Sequence, residues 1–192
     1  MERWCNGCDD WTKEAIDMEN KRCLDCGKEL THSYTYFTIV SNGKIGKYGY
    51  EAFVRGVFDP DEITHLLGIE PFSKFKEGDY RKNISKDAPQ AKYRFSSWSG
   101  EKSEVKRHDV NEQCLVTISC LKHKIPELLE IKSCYDVEFS LKVVPHIYNA
   151  ESPVISFDKE VIEFCYLTGT EIDVDTYVYE EENEEAKNVI SI

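Results

Sequence analysis

Four cysteines near the N-terminus carry the plainest chemistry in the chain. Cys5 and Cys8 enclose two residues, Cys23 and Cys26 enclose two more, and 14 residues, Asp9 to Arg22, separate the pairs. Two residues between thiolates let one tight turn aim both sulfurs at a single ion. Two such turns complete the tetrahedral, all-sulfur set that zinc takes in structural sites. Gly27 follows the second pair, where the chain must turn sharply away from the metal. Four thiolates fill the coordination sphere and leave no position for water or substrate, so the spacing predicts a structural Zn2+ and no metal-assisted catalysis. Iron on the same ligands is the alternative that spacing leaves open. Disulfides would need an oxidising compartment, and the opening Met1, Glu2, Arg3, Trp4, Cys5 has neither the basic nor the apolar stretch of an export signal. The expected location is cytoplasmic.

The run Cys23, Leu24, Asp25, Cys26, Gly27, Lys28, Glu29, Leu30 resembles the knuckle of the zinc-ribbon class, which implies a small metal-ordered unit over residues 1–31. Trp4 and Trp11 flank the first pair and read as its shielding mini-core. Residues 1–33 hold five Lys/Arg against eight Asp/Glu. A zinc ion bound by four thiolates adds further negative charge, so this unit suits a protein partner or a structural cap better than a nucleic acid.

The elements that follow must supply everything else. At 192 residues, 41% hydrophobic and 12% aromatic, the chain can build one ordinary domain beside that appendage. No apolar run approaches the length of a membrane span. A net charge of −12 makes nucleic acid a disfavoured partner on average. The charge is uneven, however: residues 74–107 hold ten Lys/Arg against five Asp/Glu, and residues 171–192 hold eight acids against one Lys. Residues 181–192 read as a solvated acidic tail.

From Ser33 the texture turns to strand, Tyr34 to Val40, with a tight turn predicted at Asn42 and Gly43 and a second strand over residues 50–58. Asp59, Pro60, Asp61 and Glu62 predict a capped helix start, Ile63, Leu66 and Leu67 its apolar face, and Gly68 its stop. A strand is predicted over residues 92–99 and a helix over residues 109–133 with a break at 122–126. Another strand follows over residues 137–144. Asp158 caps a last predicted helix that Gly169 ends, and Ile172, Val174, Thr176 and Val178 alternate as a final strand. Residues 54–69 and 154–172 share one plan of strand, Asp cap, short helix, Gly stop and strand. The fold class is therefore α+β: a small zinc ribbon (1–31), then an α/β sandwich with ferredoxin-like halves, read as a duplicated βαβ plan (32–180), then the tail.

Asp59 to Pro71, Lys76 to Asp79, Trp98, and the distal run Leu167 to Tyr177 together resemble the bacterial and phage proteins grouped as domain of unknown function 4279. The likeness covers about residues 34–180 and excludes the ribbon. It implies no reaction and no catalytic residues; its context is compatible with an immunity-type or phage-conflict role.

No nucleophile elbow, phosphate loop, His-Glu-x-x-His or dinucleotide fingerprint appears, and the protein reads as a non-enzyme. Cys114, Cys120, Cys134 and Cys165 lack metal spacing and read as core thiols. The remaining candidate is the stretch 72–98, where lysines and arginines interleave with aromatic residues; Lys76, Arg94 and Trp98 are its candidate ligand-binding residues. The function read from the sequence is a non-catalytic, zinc-containing binding protein for another protein. The alternative is nucleotide or nucleic-acid binding through 72–98. For the metal, a Cys23→Ser variant is expected to lose about one zinc per chain, by metal analysis of protein purified without chelator, with the domain beyond residue 31 still folded.

Overall fold

The computed structural model describes residues 33–41, 57–81, 91–103, 109–148 and 153–179, the strand residues Tyr148 and Tyr179 by backbone only. It also gives the backbone of short strand pieces at Arg3–Cys5, Asp10–Thr12, Ile16–Asp17, Arg22–Cys23, Gly43–Gly46 and Gly49–Ala52. The central element is β1 (Tyr34–Ser41), where alternate side chains point to opposite faces. Phe37 and Ile39 on one face are fully buried. β2 (Ser73–Phe75), β3 (Ser97–Ser99), β4 (Val137–Val144) and β6 (Thr170–Val174) complete a five-stranded sheet in the order β6-β4-β1-β3-β2. All neighbours are antiparallel except β4 and β6.

Beyond Pro145, β5 (His146–Tyr148) pairs in parallel with β7 (Tyr177–Tyr179). Phe139 faces Thr170, Val143 faces Val174 and His146 faces Tyr177, so the register runs on unchanged past the proline. The Pro145 carbonyl accepts from the Tyr177 N–H at 2.9 Å, while proline has no N–H to give in return.

Helices α1 (Pro60–Leu67), α2 (Val110–Ser119), α3 (Ile125–Cys134) and α4 (Lys159–Thr168) cover the Phe37 face. Three of them start on an aspartate of extended backbone whose carboxylate accepts from the first free amides: Asp59, Asp109 and Asp158. The predicted break is a 3-10 turn, Lys122–Lys124, with Pro126 in the first turn of α3. α1 and α4 end on Gly68 and Gly169 in the left-handed region, φ +65° and +62°. The core joins Phe37, Ile39, Trp98, Phe139, Leu141 and Val143 of the sheet to Ile63, Leu67, Ile118, Leu128, Ile131, Val161 and Phe164 of the helices. Phe37 meets Phe139 and Phe164 edge-on, at centroid distances of 5.4 and 6.1 Å. Each such side chain contributes about 1.5–3 kcal/mol by leaving water.

Several boundaries differ from those predicted. Gly43 opens a strand piece that pairs with Gly49–Ala52, and Asn42 lies outside the described residues. Residues 57–59 are not strand, and the predicted strand over 92–99 shrinks to β3, because Tyr80 and Lys92 instead form a bridge of a separate arm. The two stretches with a common plan share their caps and glycine stops. Among the described residues they part at the sheet, where β6 joins β4 in parallel and β2 joins β3 antiparallel.

Gly169 sets a local test. A Cβ built there would sit 2.7 Å from Lys132 Nζ, which donates to the Gly169 carbonyl, and the positive φ adds strain. Gly169→Ala should cost about 1–2 kcal/mol and Asp158→Ala about 1 kcal/mol. Urea denaturation of the two variants and their double should show the losses adding with an unchanged m-value.

Candidate functional site

Cys5 closes the strand piece Arg3–Cys5, which pairs antiparallel with Asp10–Thr12; Cys23 closes Arg22–Cys23, which pairs with Ile16–Asp17. Each predicted Cys-x-x-Cys pair thus begins at the end of a short hairpin strand. The four side chains lie outside the described residues, as does the acidic run 181–192. Among the described residues, no group of three or more His, Cys, Asp or Glu is placed to hold a metal ion.

The candidate residues of the 72–98 stretch separate by role. Lys76 Nζ meets Asp59 Oδ2 at 2.7 Å, and Lys74 meets Asp61 at 2.6 Å, so the edge strand β2 clamps the start of α1. That hydrogen bond from Lys76, helped by the Asp61 amide, holds the Asp59 carboxyl below its ordinary range. Trp98 is fully buried, and its indole N–H donates to Thr64 Oγ1 at 3.0 Å. Thr64 passes the bond on to the Pro60 carbonyl at 3.0 Å, so Trp98 is tied into α1 by a two-step relay. The gap beside it, lined by Ile69, Gly100 and Leu121 among others, holds about 10 Å³, too little for a ligand. Arg94 is exposed and makes no ion pair with a described residue.

The other face of the sheet is polar. Ser73, Ser99, Thr38, Ser140 and Glu171 face one another in register across all five strands. Thr38 Oγ1 and Ser99 Oγ are 3.0 Å apart, and Thr38 also donates to the Trp98 carbonyl at 3.1 Å. Ser140 Oγ is buried with no hydrogen-bond partner among the described residues. At one end of this face Tyr36 meets Phe72 edge-on, and the Lys102 ammonium lies 4.1 Å from the Tyr34 ring centroid and 5.0 Å from that of Phe72. Burial pushes the Lys102 amine down from its ordinary pKa and the Tyr36 phenol up. Lys142 there is ion-paired to Asp173.

The remaining cysteines divide. Cys114 and Cys165 are buried, whereas Cys120 and Cys134 are exposed, at the ends of α2 and α3. Burial, with Cys165 nearby, pushes the Cys114 thiol up to about 12, and burial alone pushes the Cys165 thiol up to about 11. Neither is an activated nucleophile. His65 is exposed on α1, His123 is exposed in the 3-10 turn, and His146 stacks on Tyr177 at 5.3 Å, each on a different element. His32 and His108 lie outside the described residues.

One surface was not anticipated from the sequence. On α4 the side of Val161, Phe164, Cys165 and Thr168 is buried, yet Ile162, Tyr166 and Leu167 are exposed, by 53%, 84% and 48%. The signal was present: six apolar residues among ten exceed what one buried stripe accommodates. Asp158, Glu160 and Glu163 border this side, with Glu160 ion-paired to Lys122.

The architecture is that of an α+β domain with one helical layer on a mixed sheet. The chain belongs to the family described as Domain of unknown function (DUF4279), whose model matches residues 31–179. Neither a curated protein nor a solved structure matches it. Among the described residues no helix is long and apolar enough to cross a membrane.

Native protein treated with iodoacetamide at pH 8 should be alkylated at Cys120 and Cys134 and spared at Cys114 and Cys165, by peptide mass spectrometry, with the last two labelled only in denaturant. The same two thiols release their protons in the unfolded chain near their ordinary pKa, about 8.5. Their contribution to stability is therefore complete below that pH and declines as pH rises toward 11–12.

Proposed function

We propose that this protein works by binding another protein, without catalysis, and that its partner presents an apolar centre ringed by basic residues. The observation that carries this reading is the pair Ile162 and Tyr166, one helical turn apart on the outer side of α4 and both exposed. A single exposed apolar side chain is ordinary, but an aromatic and a β-branched residue stacked along one helix line form a contact that water does not favour. The rim supports the choice of partner. Asp158 and Glu163 flank the pair on a chain of net charge −12, which attracts a basic surface and repels an acidic one. An acidic binder of this kind fits an immunity-type or phage-conflict role, by analogy with its family context.

Within this reading the N-terminal four cysteines hold a structural zinc ion as a ribbon. Strand pieces ending at Cys5 and Cys23 support it, since each pair then begins at a strand end. The ribbon then orders a short segment that precedes, in the chain, a sandwich whose α1 and α4 units are related halves, as their matched aspartate caps and left-handed glycine stops support.

Affinity capture from the native host should recover one partner in stoichiometric amount, basic in charge, and binding should be reproduced with the two purified proteins. Tyr166→Ala and Ile162→Glu should each weaken that complex tenfold or more by calorimetry while leaving the thermal midpoint unchanged. A complex that ignores both substitutions, or host extracts that yield no stoichiometric partner, would remove the proposal.

A further inference from the structure

Residues 75–81 and 91–95 form a two-stranded arm off the edge of the sheet. Gly78 N–H donates to the Tyr93 carbonyl at 3.0 Å, Tyr93 N–H to the Asp79 carbonyl at 2.9 Å and Arg81 N–H to the Ala91 carbonyl at 2.9 Å. Tyr80 and Lys92 face each other across it. On one side the ring of Tyr93 stacks on Phe75 at 3.9 Å and 12°, and the Arg81 guanidinium lies 5.6 Å from the Tyr93 centroid. On the other, Tyr80 is 55% exposed with Lys92 Nζ 4.9 Å from its ring centroid.

The cations of this region fall into two sets. Lys74 and Lys76 are neutralised by Asp61 and Asp59. Arg81, Lys92 and Arg94 are exposed and ion-paired to no described residue, on a chain that is otherwise strongly acidic. An arm that carries three exposed cations with no acidic partner among the described residues, next to an exposed tyrosine ring, has the parts that grip a phosphate backbone and stack its bases. Glu77, at the root of the arm, keeps Oε2 out of solvent without a donor among the described residues.

We infer that this arm binds single-stranded nucleic acid, with a base against the exposed ring of Tyr80 and phosphates at Arg81, Lys92 and Arg94. Trp98 takes no part, being enclosed in the core. The inference rests on a different surface from the protein contact on α4, and either can fail alone.

The test is fluorescence anisotropy of a labelled mixed-sequence 12-nucleotide RNA or DNA strand with the full chain. Three phosphate contacts on a single strand predict a roughly 80-fold loss of affinity as salt rises from about 25 to about 200 mM. Tyr80→Ala should weaken binding about 5- to 100-fold and Tyr80→Phe should restore it. The double variant Arg81→Ala with Arg94→Ala should reduce the salt slope by about two thirds, and Lys74→Ala, already committed to Asp61, should change little. Thermal melts should match the parent for each variant, since Tyr80, Arg81 and Arg94 are exposed. Absence of binding to any single strand at low salt overturns the inference. So does binding indifferent to Tyr80→Ala, or competed equally by an abasic strand, polyphosphate or an acidic peptide, because that would describe a plain basic patch.

Discussion

The sheet has one apolar face, and that restriction governs the molecule. Along β1 the buried aromatic and aliphatic side chains, Phe37 and Ile39, sit on the same side as Phe139, Leu141 and Val143 of β4 and Trp98 of β3. All four helices must therefore compete for one surface, and none can cover the other. The helices meet this demand with short segments whose ends are fixed by aspartate caps and glycine stops, so that each lays its stripe on the sheet at a defined angle. The opposite face is left to hydroxyls. Across it Ser73, Ser99, Thr38 and Ser140 lie in register, ended by Glu171, and Thr38 bonds both the Ser99 hydroxyl and the Trp98 carbonyl.

Much of this was legible in local pattern. The residues that follow Asp59 and Asp158 mark both as caps, and both carboxylates accept amide bonds at their helix starts. The break before Pro126 was legible because a proline is tolerated only near a helix start. The resemblance over residues 34–180 rested on those same helix ends and agrees with the family match over residues 31–179. Strand order was not legible, since β1 pairs with β4 and β3 across long stretches of chain and periodicity does not say which strands meet. The role of Trp98 was misleading for a related reason. An aromatic residue amid lysines looks like a stacking platform in sequence, yet alternation along β3 turned it inward to Thr64. The exposed side of α4 was legible only as a surplus, since six apolar residues among ten exceed the one stripe that a helix packed on one side buries.

Charge is sorted in space as well as in sequence. Lys74 of β2 and Lys76 just beyond it are consumed by the acidic start of α1, which removes them from any external partner and leaves Arg81, Lys92 and Arg94 as the exposed cations of the arm. On the far side of the sheet, Glu171, Asp173 and Asp175 line the β6 edge, with Asp173 engaged by Lys142. An edge strand bearing acidic side chains resists pairing with a copy of itself, so contact on that side must be made through side chains. The two ends of the sheet therefore meet the surroundings differently: one through cations and rings, the other through acids beside the apolar line of α4.

The parallel ladder past Pro145 has a mechanical side. Where an ordinary residue both gives and takes a bond, Pro145 only takes one, from Tyr177. The outer pair β5 and β7 is thus joined to the main sheet through a rung of half strength, although its register is continuous with that of β4 and β6. A ladder weakened at one rung opens there first. In amide hydrogen exchange the strands on either side of the proline would form two cooperative units, the outer one exchanging earlier, and a pull on the chain after Tyr179 would peel β7 away before it reached β6.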